Sequence, residues 1–158
     1  MKRLLALLLL VGAVPPDPAH AEARTDATVL MSEHPGARAA QEKYGFADAV
    51  IAGDFIFLSG IVVGQAPGED DLKPAYDRAL RQIGRVLARA GASYRDIVDI
   101  TSFHTDITAQ IDALAEVQKE YLGTPPPAWT AIDVDRLLPD GGITELKIVA
   151  RRSAAQAN

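Results

Sequence analysis

The chain has 158 residues, a formal charge of −5, 48% hydrophobic and 23% charged residues, and no cysteine. Such a length holds one domain with a sizeable core, and such a balance belongs to a folded soluble protein, not a disordered one. Without cysteine there is no disulfide, thiolate nucleophile, iron–sulfur cluster or cysteine-ligated zinc, and the acidic balance repels polyphosphates, which argues against nucleic acid as a partner.

The first residues have the layout of a secretory signal peptide. Lys2 and Arg3 are a short positive region, Leu4 to Val14 an apolar run, Pro15-Pro16-Asp17-Pro18 a break, and Ala19-His20-Ala21 a small-residue cleavage site. The apolar run is about half of the ~20 residues that span a bilayer. Residues 1–21 are therefore expected to be removed after Ala21, with Ala23 as a second site. The mature chain is then periplasmic or secreted, with no membrane attachment. Absence of cysteine is compatible with export, because an oxidising compartment permits disulfides without requiring them.

Residues 22–38 are small and polar and read as a flexible leader. Residues 39–153 carry regular patterning and form the expected domain; residues 154–158 are a tail. Ala49-Val50-Ile51 and Phe55-Ile56-Phe57-Leu58 flank Gly53-Asp54, a hairpin signal. Ser59-Gly60 ends the second strand, and a Gly/Pro loop follows over 64–68. Leu72, Tyr76, Ala79, Leu80, Ile83, Leu87 and Ala90 recur at helical steps, with Arg78, Arg81, Arg85 and Arg89 elsewhere on a solvated face; Gly91 is the stop.

Asp96 to Thr105 is β-branched and reads as a strand. Ala109 to Leu122 reads as a second helix closed by Gly123, and Pro125-Pro126-Pro127 as a stiff extended connector. Trp129 to Val134 and Ile143 to Arg151 are the remaining strands, separated by a turn over 139–142. The order β-β-α-β-α-β-β predicts an α+β, two-layer fold with two helices on one sheet. Two helices cover one face only, so the other face predicts association of subunits through the sheet.

Five segments, in their order and spacing, resemble the Rid family, the YjgF-like reactive-intermediate deaminases once called L-PSP endoribonucleases. They are Tyr44-Gly45-Phe46; Phe57-Leu58-Ser59-Gly60; Ala90-Gly91-Ala92-Ser93 with Asp96-Ile97-Val98; Phe103 with Asp106; and Pro127-Ala128-Trp129-Thr130-Ala131 followed by Glu145-Leu146-Lys147-Ile148-Val149-Ala150. The similarity runs from about Gln41 to Arg151. It implies a chorismate-mutase-like fold, a homotrimer, and three clefts between subunits that take a small metabolite. In family members known as deaminases those clefts hydrolyse 2-imino or enamine acids to keto acids and ammonia, with no metal or cofactor. An arginine in a Pro-x-Arg-Ser/Thr motif grips the substrate carboxylate, and a glutamate on the last strand places water.

The arginine's role has a plain physical basis: its planar fork gives two parallel charge-assisted hydrogen bonds to a carboxylate. Here the motif reads Pro127-Ala128-Trp129-Thr130, so Trp129 stands in the arginine position. Lys147 stands where the water-placing glutamate is expected, with Glu145 two residues earlier on the same face. Phe46 stands where many members carry tyrosine. An indole has one N–H donor and a flat face, and cannot hold a carboxylate bidentately. By resemblance, the ligand cleft comprises Phe46, Ser59, Gly60, Trp129, Thr130, Glu145 and Lys147, with a preference near Trp129 for flat, apolar or cationic groups.

Lys147 admits three roles: an ion pair with Glu145 or with a carboxylate of the next subunit, which is favoured; a relocated carboxylate anchor; or a desolvated amine able to form a Schiff base. A Ser59–His104–Asp106 triad can be imagined, though nothing in the spacing is diagnostic. Histidines are too few for zinc, and neither standard Gly-rich phosphate loop is present. Three functional classes follow. One is a trimeric metabolite-binding protein without arginine-dependent deamination. Another is a divergent imine or enamine deaminase using Glu145 and Lys147. The last is a ribonuclease, which the acidic balance disfavours.

Overall fold

A computed structural model describes residues 24–152. The proposed signal peptide and the 154–158 tail lie outside the described residues. In chain order the elements are β1 (Val29–Leu30), α1 (Pro35–Tyr44), β2 (Ala49–Ala52), β3 (Phe55–Leu58), β4 (Ile61–Gly64), α2 (Lys73–Arg89), a 3-10 turn (Tyr94–Asp96), β5 (Ile97–His104), α3 (Ile107–Leu122), β6 (Ala128–Asp133) and β7 (Gly142–Arg151).

These strands form one mixed sheet in the order β1-β2-β3-β7-β5-β6, with β4 also on β7. β3 and β4 are successive stretches beside the same long strand: Phe57 lies opposite Val149, and Val62 opposite Glu145. Only β5 and β6 run parallel, because α3 carries the chain back between them.

The α+β class is confirmed, and three sequence readings change. Among the described residues there are three helices rather than two. Residues read as a leader contain β1 and the start of α1. Ile61–Gly64 is a further strand. α1 escapes periodicity analysis because it packs few apolar residues; of its ten residues only Gln41 is buried. It is entered through Pro35 in its first turn and left through Gly45 at φ 73°, a left-handed cap that suits glycine. β1 has only two residues, too few to show a strand period.

α2 and the period-two strands match the sequence reading because their signals are local. Tyr76, Ala79, Leu80, Ile83, Leu87 and Ala90 are all buried, whereas Arg78, Arg81 and Arg85 are exposed. Beneath the helices the sheet contributes Ile56, Leu58, Val63, Ile100, Leu146, Ile148 and Ala150 to the same core. Each of these Val, Leu and Ile side chains is worth about 1.5–3 kcal/mol when fully buried. Among the described residues no helix covers the opposite face. Phe55, Phe57 and Ile132 stand exposed there at 41–44%.

Candidate functional site

The seven residues proposed for the cleft fall on two parts of the chain. In the first, Gly45 turns the backbone out of α1 and presents Phe46 at the surface. The turn is braced from within. Gln41 is buried, accepts the Ser32 N–H and donates to Asp48 Oδ1 at 2.6 Å, while Arg89 donates to Asp48 Oδ2 at 2.8 Å. Asp48 then accepts the Ser59 N–H through its carbonyl at 3.0 Å, joining the Phe46 turn to the β3–β4 junction.

Phe46 and Ser59 line a groove of about 620 Å³ with Val29, Met31 and Val50. A smaller, more enclosed hollow of about 220 Å³ adds Gly60 and Ile61. Gly60 has a steric duty: a Cβ built there would lie 1.7 Å from Glu145 Oε1. The Glu145 side chain thus rests over Gly60.

Glu145 and Lys147 share the helix-free face, as the alternation along β7 predicts. Cross-strand pairing extends the row: Lys147 lies opposite Thr101, which lies opposite Thr130. Lys147 is exposed, and no ion pair joins it to Glu145 among the described residues. Of the two ion-pair partners offered for Lys147, the one within the chain, Glu145, is therefore not engaged; the other belongs to a second subunit.

Trp129 belongs to the second part. Its register partner is Ile100, a core residue, so Trp129 faces the helix layer, opposite to Lys147. The indole Nε1–H donates to Ser102 Oγ at 2.9 Å. Ser102 Oγ lies 2.8 Å from His104 Nε2, and His104 Nδ1 lies 3.2 Å from Gln110 Oε1. Thr144 donates to Gln110 Oε1 at 3.3 Å and meets the Tyr76 hydroxyl at 2.9 Å. Ser102, His104, Thr144 and Tyr76 are wholly buried.

This relay has one consistent direction. Gln110 Oε1 only accepts, so His104 Nδ1 carries the hydrogen and His104 Nε2 accepts from the Ser102 hydroxyl, whose lone pair takes the indole N–H. Burial holds the His104 pKa below the usual imidazole value, with the Gln110 hydrogen bond and the Asp133 charge opposing. The ring is accordingly neutral, as the relay requires. Burial also pushes the Tyr76 hydroxyl up, so it remains a donor.

A Ser59–His104–Asp106 triad is not assembled. His104 is tied to Ser102 and Gln110, and the Asp106 carboxylate caps α3 by accepting the Ala109 N–H at 3.1 Å. Ser102, Gln110 and Thr144 were not singled out from the sequence. A signal existed: Ile100, Ser102 and His104 share one face of a strand, and two polar residues continuing an apolar face beneath helices must find partners. Among the described residues, no three His, Asp or Glu side chains gather to hold a metal ion.

A two-layer α+β fold, with one sheet face that no helix covers among the described residues, is the class this geometry defines. The Endoribonuclease L-PSP family model matches residues 36–152. The chain is 36% identical over 112 residues to the RutC family protein YjgH of Escherichia coli, covering 69% of this chain and 84% of that one. It is 31% identical over 110 residues to the 2-iminobutanoate/2-iminopropanoate deaminase of Capra hircus, covering 66% and 78%. Among solved structures, a YjgF/YER057c/UK114 family member from Mycobacterium tuberculosis superposes with a TM-score of 0.68 at 26% identity, covering 79% of this chain and 98% of that one. The YjgH structure does so with 0.66 at 32%, covering 82% and 97%. The chain belongs to the Endoribonuclease L-PSP (YjgF/RidA/RutC) family.

Proposed function

We propose that this chain is an exported member of its family that forms a homotrimer and holds a small metabolite in clefts between subunits, without arginine-dependent deamination of 2-imino acids. The observation that carries this reading is the state of Trp129. It stands in the arginine position of the motif, and its one donor already serves Ser102. Nothing at that position is left to grip a carboxylate.

The split of the site supports assembly. Phe46, Ser59, Gly60 and Glu145 adjoin on one part of the chain, and Trp129 faces the other side of the sheet. A cleft between two copies combines the first group of one subunit with the β6 edge strand of the next, which carries Trp129. The exposed Phe55, Phe57 and Ile132 supply an apolar face for that contact. Sedimentation velocity of the mature chain should give a trimer, and Phe57→Asp should shift it to smaller species. Export is checked by the N-terminus of protein recovered from the periplasm or medium, expected at Glu22.

The activity test is a coupled assay with freshly generated 2-iminopropanoate. The expected result is hydrolysis no faster than the spontaneous reaction. A clear acceleration that disappears in Glu145→Gln and Lys147→Ala would establish the second reading. In that reading the chain is a divergent imine or enamine deaminase, with Lys147 anchoring the carboxylate and Glu145 placing water. The position of Glu145 over Gly60, on the same face as Lys147, favours it. So does the likeness to chains named as deaminases.

A further inference from the structure

We propose that Ser102 and His104 are positioning residues for Trp129: they pin the indole edge inward, so that its ring face is all it offers a ligand. The ligand group met there is then an aromatic ring or an alkylammonium, not a carboxylate. This deepens the reading that Trp129 lines the metabolite cleft, and its ligand-class part rests on that reading.

The argument starts from the edge strand. Trp129 lies on β6, which pairs on one side only, with β5. An aromatic side chain on such a strand, 36% exposed, has several rotamers open to it unless something fixes it. The fixing group is a hydroxyl that is itself fixed. Ser102 Oγ is held by the His104 ring, which is held by Gln110 Oε1. Gln110 is held in turn by Thr144 and, through its amide, by Thr105 Oγ1 at 3.2 Å. Thr105 donates to the Ile143 carbonyl at 3.1 Å, which closes the network onto β7. Four elements, α2, β5, α3 and β7, thereby contribute to the orientation of one indole.

Each bond in this chain has an alternative only at a cost. Swinging Trp129 outward leaves a buried serine lone pair without its donor, and the indole N–H must find water. The inward edge is therefore the ground state. The nitrogen is engaged, and the remaining side-chain surface is ring carbon. A ring face with its negative quadrupole attracts a cation or stacks with another ring, and repels a carboxylate. Replacement of the arginine thus changes the chemical class of ligand, and the serine–histidine pair makes that change stable.

Trp129 is the one tryptophan of the chain, so its spectroscopic signals are unambiguous. In the full-length mature protein, its indole N–H should give a single NMR cross-peak that exchanges slowly with solvent. Ser102→Ala should shift Trp129 emission to longer wavelength, raise acrylamide quenching severalfold and weaken the near-ultraviolet dichroism, while far-ultraviolet dichroism is kept. Ser102→Thr, which keeps a hydroxyl, should restore all three, and His104→Leu should reproduce the alanine effect. Rapid exchange of the wild-type indole N–H would overturn the positioning role, even if no variant folds. So would a folded Ser102→Ala protein with unchanged emission and quenching.

The ligand class is read with benzyltrimethylammonium and, as its acidic counterpart, phenylacetate, by quenching of Trp129. Both probes carry a phenyl ring, so the cation should bind more tightly than the acid. Ser102→Ala should weaken the cation about tenfold, the factor that one lost hydrogen bond of about 1.4 kcal/mol represents. Tighter binding of phenylacetate at Trp129 would overturn the ring-face assignment. If neither probe binds, the metabolite-cleft reading and the ligand class fall together, while exchange and emission still decide whether Ser102 and His104 orient the indole.

Discussion

The two faces of the sheet are built from the same strands and behave differently. On the covered face, side chains from β3, β4, β5 and β7 meet α2 and α3, and even the polar members, Ser102, His104 and Thr144, are fully enclosed and hydrogen-bonded. On the open face, Phe57, Phe103, Glu145 and Lys147 project from positions one residue away, with no helix above them among the described residues. Adjacent residues of β7 such as Lys147 and Ile148 therefore answer to different physics. A buried group is judged by its packing and hydrogen bonds within the chain. A group on the open face is judged by what another molecule brings to it.

The comparison is broken most directly by Ile148→Ala. Ile148 is 1% exposed at the centre of the covered face, and its truncation should cost about 2–5 kcal/mol in urea unfolding through lost transfer and cavity terms. A loss below about 0.5 kcal/mol, the range of ordinary surface changes, would mean that the helix layer does not seal this face.

Ser102→Ala comes next, at about 1–3 kcal/mol, since it leaves the Trp129 N–H and His104 Nε2 without their partner in a buried site. Ser102 and Thr101 are neighbours on β5 and face opposite ways, so Thr101→Ala serves as the open-face control. An equal cost for both would refute the relay.

A smaller effect depends on pH. Folding lowers the His104 pKa from 6.5, so between that lowered value and 6.5 the unfolded chain binds more protons than the folded one. Its contribution is fully present above about 6.5, the ordinary imidazole value, and is lost as pH falls through that window. Denaturation midpoints at a series of pH values should show this decline, and His104→Gln should flatten it. An unchanged pH profile in the variant would show that His104 is not the group responsible.

The smallest expected change is Lys147→Ala. Lys147 is exposed with no ion pair among the described residues, so its removal should alter stability by no more than about 0.5 kcal/mol while still acting on any ligand bound at the open face. A loss of several kcal/mol would place Lys147 in a structural role that the open face does not suggest.

Much of this architecture is legible from local signals. Helical spacing from Tyr76 to Ala90, Gly91 as a stop, and alternation along Ile143 to Arg151 each depend only on residues close in sequence, and each corresponds to an element. α1 was not legible, because its anchoring comes from one glutamine reaching Ser32 and Asp48 rather than from an apolar stripe. β4 was hidden by the Ser59-Gly60 break. Residues on either side of that break pair with the same strand, a fact that belongs to β7. His104 stood out as a histidine, but its partners lie two, six and forty residues away and only the last two required the fold.

By itself the sequence determined the elements with strong periods, the family likeness, and the common face of Glu145 and Lys147. All of these are properties of residue identity or of spacing within one element. Tertiary structure decided that Trp129 faces away from Lys147 and that its N–H is taken by Ser102. Side-chain period two tells which residues of one strand share a face, but the phase between strands is set by register. That register is established where β5 meets β6 and β7, under the helices that choose which face to bury.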